Sequence, residues 1–206
     1  MKKVIFVTLL VSCLSTLFSQ TIKPQPSLKK VRFGFGIGVN VSNLAYDEKL
    51  PEFATIEQGA GYRVSGLAHY EVSNWLSLSP KAAISFHHSK VIFRGAKQNK
   101  IEYQIMPVAF EFMFHAVLKK ESQKLSPYLI VGPNIRVPLS PEPSDTISYS
   151  TNSDIAIDVG IGLDKAFEYF YFAPELRYSY GLLNLSQNPE VPNLRLHSIA
   201  VVFTFR

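Results

Sequence analysis

The sequence predicts an all-β fold, namely an eight-stranded antiparallel up-and-down transmembrane β-barrel with a filled polar interior. Three observations lead to this prediction. Large apolar side chains alternate with small or polar ones in eight segments, and the connections between these segments are alternately long and short. The chain of 206 residues is also 13% aromatic but only 18% charged. Such a composition excludes a disordered chain, and the length suits a single domain.

The first twenty residues have the features of a secretory signal peptide. Lys2 and Lys3 precede an apolar run from Val4 to Phe18, which small and polar residues follow. This order is typical of Sec signals, and the run is shorter than the roughly 20 residues that a transmembrane helix needs. We expect residues 1–20 to be a cleaved signal peptide, 21–30 a periplasmic segment and 31–206 an outer-membrane barrel. An uncleaved anchor helix and lipidation of Cys13 are the alternatives.

The net charge gives no sign of a nucleic-acid partner. Removal of residues 1–20 leaves 19 basic against 16 acidic residues, so the net charge falls from +5 to +3. Aromatic residues are not interleaved with a basic run, as a base-stacking platform would require. The single cysteine, Cys13, excludes a disulfide framework and a cysteine-based zinc site. We therefore expect no nucleic-acid partner and no cofactor.

The clearest alternation runs from Val31 to Ser42. Every odd position in this segment is large and apolar, and every even position is Gly, Arg, Asn or Ser. Successive side chains of a β-strand point to opposite faces, so one face of this strand is apolar and the other small or polar.

Seven further segments alternate in the same way, and the connections between them differ in length. In the fourth strand the outward set begins at Met106. Long connections are 44–59, 89–100, 140–152 and 183–193, and the others are short. Tight periplasmic turns and longer external loops are typical of outer-membrane barrels. The seven segments are 60–72, 75–88, 103–117, 127–139, 153–164, 169–182 and 194–206.

A soluble eight-stranded barrel also alternates, but it places its apolar residues inside. That arrangement would leave the charged residues of the strands on the outer surface. Low overall charge, glycines opposite large aromatics and a last strand ending in Phe203-Thr204-Phe205 favour the membrane barrel. Tyr and Trp at strand ends are expected to form interfacial girdles, and they include Tyr62, Trp75, Tyr103, Tyr128, Tyr169, Tyr171, Tyr178 and Tyr180.

Five basic and five acidic residues fall on the inward faces. An eight-stranded barrel is just wide enough inside for side chains to fill it, and buried charges must be paired. We therefore predict a lumenal salt-bridge network that fills the barrel and conducts nothing, with Glu175 and Arg177 at its centre. The ten residues are Arg32, Arg63, Lys81, Arg136, Arg177, Glu71, Glu111, Asp154, Asp158 and Glu175.

One sequence feature raises the possibility of catalysis. His87, His88 and Ser89 lie at the external end of the third strand, where a lipid-modifying barrel could carry a Ser–His pair. A catalytic serine needs a base and a third group that orients the base. No acid is tied to these residues by the sequence, so we expect no enzyme and identify no small-molecule substrate.

Several stretches resemble PorT-type outer-membrane proteins. They are 33–40, 127–132, 158–164 and 172–184, and the most specific part is Pro174-Glu-Leu-Arg-Tyr-Ser-Tyr-Gly-Leu182. The fourth strand departs from the family pattern, because Ile105 precedes Met106-Pro107 and Glu111 replaces an expected lysine. That departure keeps open another barrel of the porin-like superfamily.

The resemblance implies an accessory role in type IX protein secretion across the Gram-negative outer membrane. The barrel would then act by contacting other secretion proteins while it is anchored in outer-membrane lipid. The alternatives are a general barrel for adhesion or membrane integrity and, less favoured, a lipid-modifying enzyme.

Overall fold

The computed structural model describes residues 31–46, 54–94, 100–120, 125–139, 147–149, 152–185 and 193–206. The expected signal peptide and the periplasmic segment 21–30 lie outside the described residues. Within the described ranges, no helix is long and apolar enough to cross a membrane.

The described chain forms twelve strands. They are β1 (Val31–Tyr46), β2 (Ala54–Glu57), β3 (Gly59–Glu71), β4 (Leu76–Phe86), β5 (Lys90–Arg94), β6 (Lys100–Gln104), β7 (Val108–Lys119), β8 (Ser126–Pro138), β9 (Ile147–Tyr149), β10 (Asp154–Ala166), β11 (Tyr171–Gly181) and β12 (Leu194–Phe205).

Eight of these strands close into an antiparallel barrel in the order β1-β12-β11-β10-β8-β7-β4-β3. The first strand pairs with β3 on one side and with β12, the last strand, on the other. Each barrel strand therefore has a hydrogen-bonded neighbour on both sides, which is the condition for a β-structure to lie in lipid. The predicted eight-stranded up-and-down barrel is confirmed.

The outer surface of the barrel carries the large apolar side chains. On β1, for example, Phe33 is 77% exposed and Val39 is 60% exposed, whereas Asn40 and Ser42, which have the opposite parity, are buried. So much apolar surface facing water would be costly, but facing lipid it is the expected arrangement. The alternation therefore places the apolar side chains on the outside, as in a membrane barrel, and not on the inside, as in a soluble barrel.

The fourth barrel strand starts later than the sequence suggests. It begins at Val108, and Met106 is fully buried with a φ of 50°, so its prediction as a lipid-facing residue is wrong. This left-handed residue turns the chain away from the barrel wall, and Tyr103 and Gln104 lie in the separate strand β6. The sequence alternates through 103–117 although the strand is interrupted at Met106, so the pattern gave no sign of the interruption.

Four strands lie outside the barrel and form a second sheet in the order β2-β5-β6-β9. The segments 44–59, 89–100 and 140–152, predicted to be loops, supply β2, β5 and β9, whereas β6 includes the start of the predicted strand 103–117. Val91, Ile92 and Phe93 on β5 are all buried. A strand that is buried on both faces reads as an unbroken apolar run. The period of two is therefore absent from β5.

This outer sheet closes the external mouth of the barrel through an apolar cluster. Leu44, Leu194 and Leu196 point inward from the external ends of β1 and β12, and they pack with Val91 and Phe93 of β5. Ile105, Met106, Ala109 and Leu185 complete the buried core of the cluster. We call the four-stranded sheet and this cluster the external cap.

Tight connections lie at the opposite, periplasmic end. Val72 and Ser73 donate backbone hydrogen bonds to Leu76 O at 3.0 Å, and Phe167 donates to Phe170 O at 2.8 Å. Two connections of this end are therefore closed turns that hold neighbouring strands in register.

Gly132 and Gly66 provide a test of how closely the barrel strands pack. A Cβ on Gly132 would lie 1.9 Å from Phe114 O, whereas a Cβ on Gly66 would meet no atom within 4 Å. We expect Gly132→Ala to lower the free energy of unfolding by about 1–3 kcal/mol, because the backbone of β7 must move away. Urea unfolding in detergent micelles measures the effect, with Gly66→Ala as the matched control. Equal stability of the two variants would contradict this packing.

Candidate functional site

All ten charged residues predicted to face inward lie inside the barrel. Eight of them are buried, and Arg32 and Glu71 near the periplasmic end are half-buried. The strands place them there because each occupies the inward parity of its alternation. The structure gathers them into linked groups, which we describe from the external end to the periplasmic end.

Glu111 on β7 is the centre of the external group. Its carboxylate accepts hydrogen bonds from Arg63 Nη2 at 3.0 Å, Ser85 Oγ at 2.6 Å and Asn134 Nδ2 at 3.1 Å. Glu111 is completely buried, and Arg63 is 2% exposed. Removed from water, the two charges depend on each other and on these neutral donors.

Arg136 and Asp154 form a second external pair on the adjacent strands β8 and β10. Arg136 Nη1 donates to Asp154 Oδ2 at 3.1 Å and to the carbonyl of Leu196 at 3.0 Å. The other oxygen of Asp154 accepts from the backbone of Leu183 at 3.2 Å. This pair therefore joins β8, β10 and β12 directly beneath the external cap.

Glu175 and Arg177 occupy the middle of the lumen, on the same inward face of β11. Arg177 Nε donates to Glu175 Oε1 at 2.9 Å, and Lys81 Nζ lies 3.2 Å from Glu175 Oε2. Arg177 Nη1 is also 3.6 Å from Asp158 Oδ2. One carboxylate is thus shared by two cations, and one guanidinium bridges two carboxylates. Because these four side chains share partners, the stability of each ion pair depends on the others.

His115 and Asn134 connect the middle group to the external one. His115 Nε2 lies 3.0 Å from Asp158 Oδ2, and Asn134 Nδ2 is 3.4 Å from Asp158 Oδ1. The same amide nitrogen donates to Glu111. The two groups are therefore parts of one network across β7, β8, β10 and β11.

The periplasmic end holds two further groups. Asp164 lies 3.1 Å from Lys119 Nζ and 2.8 Å from Arg206 Nη2, and Arg32 pairs with Glu71. The guanidinium of Arg32 also lies over the ring of Tyr171, 4.2 Å from its centroid. Arg32 and Glu71 are not joined to the central pair by any ion pair among the described residues.

The charge count from the sequence was incomplete at this end. Asp164, Lys119 and Arg206 also lie on inward-facing positions, and strict alternation would have included them.

The prediction of Tyr128 in an interfacial girdle is wrong. This residue is only 7% exposed, and its hydroxyl lies 3.4 Å from Glu175 Oε2. Its parity on β8 matches that of Arg136, so the period of two already placed it inside.

A buried chain of neutral groups runs from β1 to Glu111. Ser42 Oγ is 2.6 Å from His87 Nδ1, His87 Nε2 is 3.0 Å from Ser85 Oγ, and Ser85 donates to Glu111. The order of these groups resembles a catalytic Ser–His–acid arrangement. However, Ser42 and Ser85 are completely buried and His87 is 1% exposed. Each hydroxyl and imidazole nitrogen has a partner, so the chain satisfies polar groups inside the wall.

The residues singled out from the sequence as a possible Ser–His pair do not meet. His88 is exposed, whereas Ser89 is completely buried and donates to the backbone oxygen of Ser42 at 2.9 Å. Adjacent residues of an extended chain point to opposite faces, so these two side chains diverge. In the described part of the chain, no group of three His, Cys, Asp or Glu side chains is arranged to hold a metal ion.

A separate charged group lies on the outer sheet. Lys90 Nζ is 2.9 Å from Glu102 Oε2 and 3.2 Å from Glu57 Oε2. Hydrogen bonds to the Glu102 and Glu57 carboxylates raise the pKa of Lys90 above its ordinary value. This lysine ties β2, β5 and β6 together on a surface that water reaches.

Comparisons with known proteins agree with this architecture. The family described as outer membrane protein beta-barrel domain matches residues 18–187. Neisserial surface protein A has a TM-score of 0.52 at 14% identity, with 85% of this chain and 98% of that one covered. For the outer membrane protein OprG from Pseudomonas aeruginosa the TM-score is 0.50 at 13% identity, with 85% and 93% covered. These identities indicate a shared fold only. No curated protein matches the sequence.

The lumenal network predicts a large effect of removing one partner of a buried pair. We expect Glu111→Ala to lower the free energy of unfolding by about 3–5 kcal/mol, because Arg63 is left charged and unpaired. Adding Arg63→Met should restore part of the loss by removing that charge. Glu168→Ala, on the exposed turn between β10 and β11, is the control. Urea unfolding followed by heat-modifiable gel migration measures all three; equal midpoints for Glu111→Ala and Glu168→Ala would contradict the pairing.

Proposed function

We propose that this chain, which belongs to the outer membrane protein beta-barrel domain family, is an accessory component of type IX protein secretion that acts by contacting partner proteins. The outer membrane is its location. The PorT-like stretches noted in the sequence supply the link to this secretion system. The barrel serves as an anchor, and the secreted protein passes elsewhere.

The filled lumen is the observation that carries this proposal. Arg63, Glu111, Arg136, Glu175 and Arg177 are each at most 3% exposed, and they span the interior from the external cap to the middle. A polypeptide could pass only if these pairs were broken, and each unpaired buried charge costs several kcal/mol. An eight-stranded barrel has no spare width beside them. A role through surface contacts is therefore favoured over a role as a conduit.

The external cap supports contacts on the outer side. Within the described residues, β2 and β9 are the edge strands of the second sheet. An edge strand offers unpaired backbone groups to which an extended segment of another protein can add. On β2, Thr55 and Glu57 are exposed and alternate with the half-buried Ala54 and Ile56. A partner strand would meet a polar outer face and a backbone edge.

The same cap favours the second candidate function, a barrel for adhesion or membrane integrity. A sheet folded on the external mouth is accessible from outside the cell, whereas the periplasmic turns are short. This alternative needs no partner in the secretion machinery. The two functions predict different phenotypes for a deletion strain.

Deletion of the gene tests the two functions against each other. We expect the deletion strain to lose export of proteins that carry the C-terminal secretion domain of this system, while its outer membrane stays intact. Immunoblots of culture medium and cell fractions measure export, and the wild-type gene on a plasmid is the control. Normal export combined with lost surface adhesion would replace the first function with the second.

A filled lumen also predicts the electrical behaviour of the protein. We expect no stable ion conductance from the purified barrel in a planar lipid bilayer, because the paired charges block the interior. A porin of sixteen strands, which holds an aqueous channel, is the positive control. Reproducible ohmic channels from the wild-type protein would remove the observation on which the proposal depends.

We further propose that the protein is not an enzyme. The divergence of His88 and Ser89 and the burial of Ser42 support this view. Ser89→Ala and His88→Ala are expected to leave the lipid A profile of the outer membrane unchanged in mass spectra. A lipid A species that disappears in either variant, with the barrel still folded, would make the lipid-modifying alternative the better one.

A further inference from the structure

A groove of about 670 Å³ lies in the outer wall near the periplasmic end. It crosses the five neighbouring strands β7, β8, β10, β11 and β12. Most of the side chains that line it belong to the lipid-facing set, so the groove opens to the bilayer. Tyr128 and Glu175 of the lumenal network also line it. The proposed secretion role does not use this feature.

Two rows of residues form the groove, and the strand register fixes both. In the upper row, Leu118 pairs with Leu129, Leu129 with Ile161, Ile161 with Leu176, and Leu176 with Val201. All five are aliphatic and at least 38% exposed. This row makes the apolar side of the groove.

The lower row consists of Pro127, Leu163 and Pro174, and it is recessed because the two prolines flank Leu163. Pro127 pairs with Leu163 across β8 and β10, and on the other side the β10–β11 ladder has no pair between Gly162↔Glu175 and Lys165↔Phe172. Pro174 lies in that gap, where a residue without an N–H cannot complete the ladder. Compact proline rings here leave space that larger side chains fill elsewhere on the wall.

The lining of the groove contains one aromatic residue, Tyr128, which is only 7% exposed. Phe203 on β12 pairs with Pro174 and borders the recess without lining it. The recess is therefore a slot with mainly aliphatic walls. A flexible hydrocarbon chain fits such a slot better than a rigid ring or a helix does.

A cation lies at one end of the groove. Lys120 lines it at the end of β7, and its backbone N–H donates to Pro127 O at 3.0 Å. The side chain is exposed at the periplasmic membrane surface, the level at which lipid phosphates lie. Lysine is a common partner of phosphate, and a lysine at the membrane surface is attracted to anionic headgroups.

We propose that the groove binds one glycerophospholipid of the periplasmic leaflet, with an acyl chain along the two rows and its phosphate on Lys120. Burial of apolar surface does not drive this association, since bulk lipid is equally apolar. Close packing in the slot and the phosphate–lysine contact supply the specificity. The site would hold a lipid for longer than the rest of the wall does.

Native mass spectrometry of the barrel, extracted from outer membranes in mild detergent, tests the site. Ile161→Trp fills the centre of the groove, and Val159→Trp is the matched control two residues along the same lipid-facing side of β10. We expect one phospholipid per wild-type barrel and per Val159→Trp barrel, and at least about tenfold less on Ile161→Trp, which corresponds to about 1.4 kcal/mol. Lys120→Glu should also lower the retained lipid.

A second measurement does not depend on any variant folding. Phosphatidylethanolamine with a diazirine on its acyl chain, reconstituted with the wild-type barrel, should crosslink to peptides that contain Leu163 or Leu176 in preference to the β1 peptide with Val39. Uniform crosslinking around the wall would overturn the site. So would wild-type barrels without retained lipid, equal retention by the two tryptophan variants, or a dimer that Ile161→Trp dissociates, since a second copy would then be the occupant.

Discussion

The pairing of β1 with β12 is the interaction on which the rest of the structure depends. It joins the two ends of the barrel through a register from Phe35↔Phe205 to Tyr46↔Leu194. Lipid offers no hydrogen bonds, so an unpaired strand edge there would leave a row of backbone groups unsatisfied. Closure removes that edge, and it also creates an interior that neither lipid nor bulk water can fill. Every polar residue on the inward faces must then find its partner among the others.

The lumenal network is the consequence of that enclosure. Glu175 is shared between Arg177 and Lys81, and Glu111 accepts from Arg63, Ser85 and Asn134. Because Asn134 also reaches Asp158, the groups form one connected network across several strands. Such a network favours a single register of the barrel, since a shift of one strand by one residue would turn the charges of that strand toward lipid. Stability and closure of the lumen thus have one cause, and both support the proposed action of the protein through its surfaces.

Two surfaces remain for that function, and they differ in chemistry. The external cap presents a small sheet with polar side chains and edge strands, which suits a protein partner. The periplasmic groove presents aliphatic walls and Lys120, which suits a lipid. Both arise where the regular barrel is interrupted: Met106 leaves the wall at a left-handed residue, and Pro174 breaks the ladder between β10 and β11. In a closed barrel, departures from regular pairing are the places where specific surfaces can form.

The sequence by itself determined the barrel, its orientation and the inward position of all ten charged residues, because the period of two is a local property of each strand. Alternation also implies the inward position of Tyr128 and Asp164, although Tyr128 is predicted in an interfacial girdle and Asp164 is not among the ten predicted lumenal charges. The partners of each charge, the external cap and the groove depend on which strands become neighbours and in which register. Glu111 and Arg63 are 48 residues apart in the chain, and Pro127 and Pro174 flank Leu163 only after β8, β10 and β11 have paired. The register between neighbouring strands and the side-chain partners that it selects, which no local pattern encodes, were decided by the tertiary structure alone.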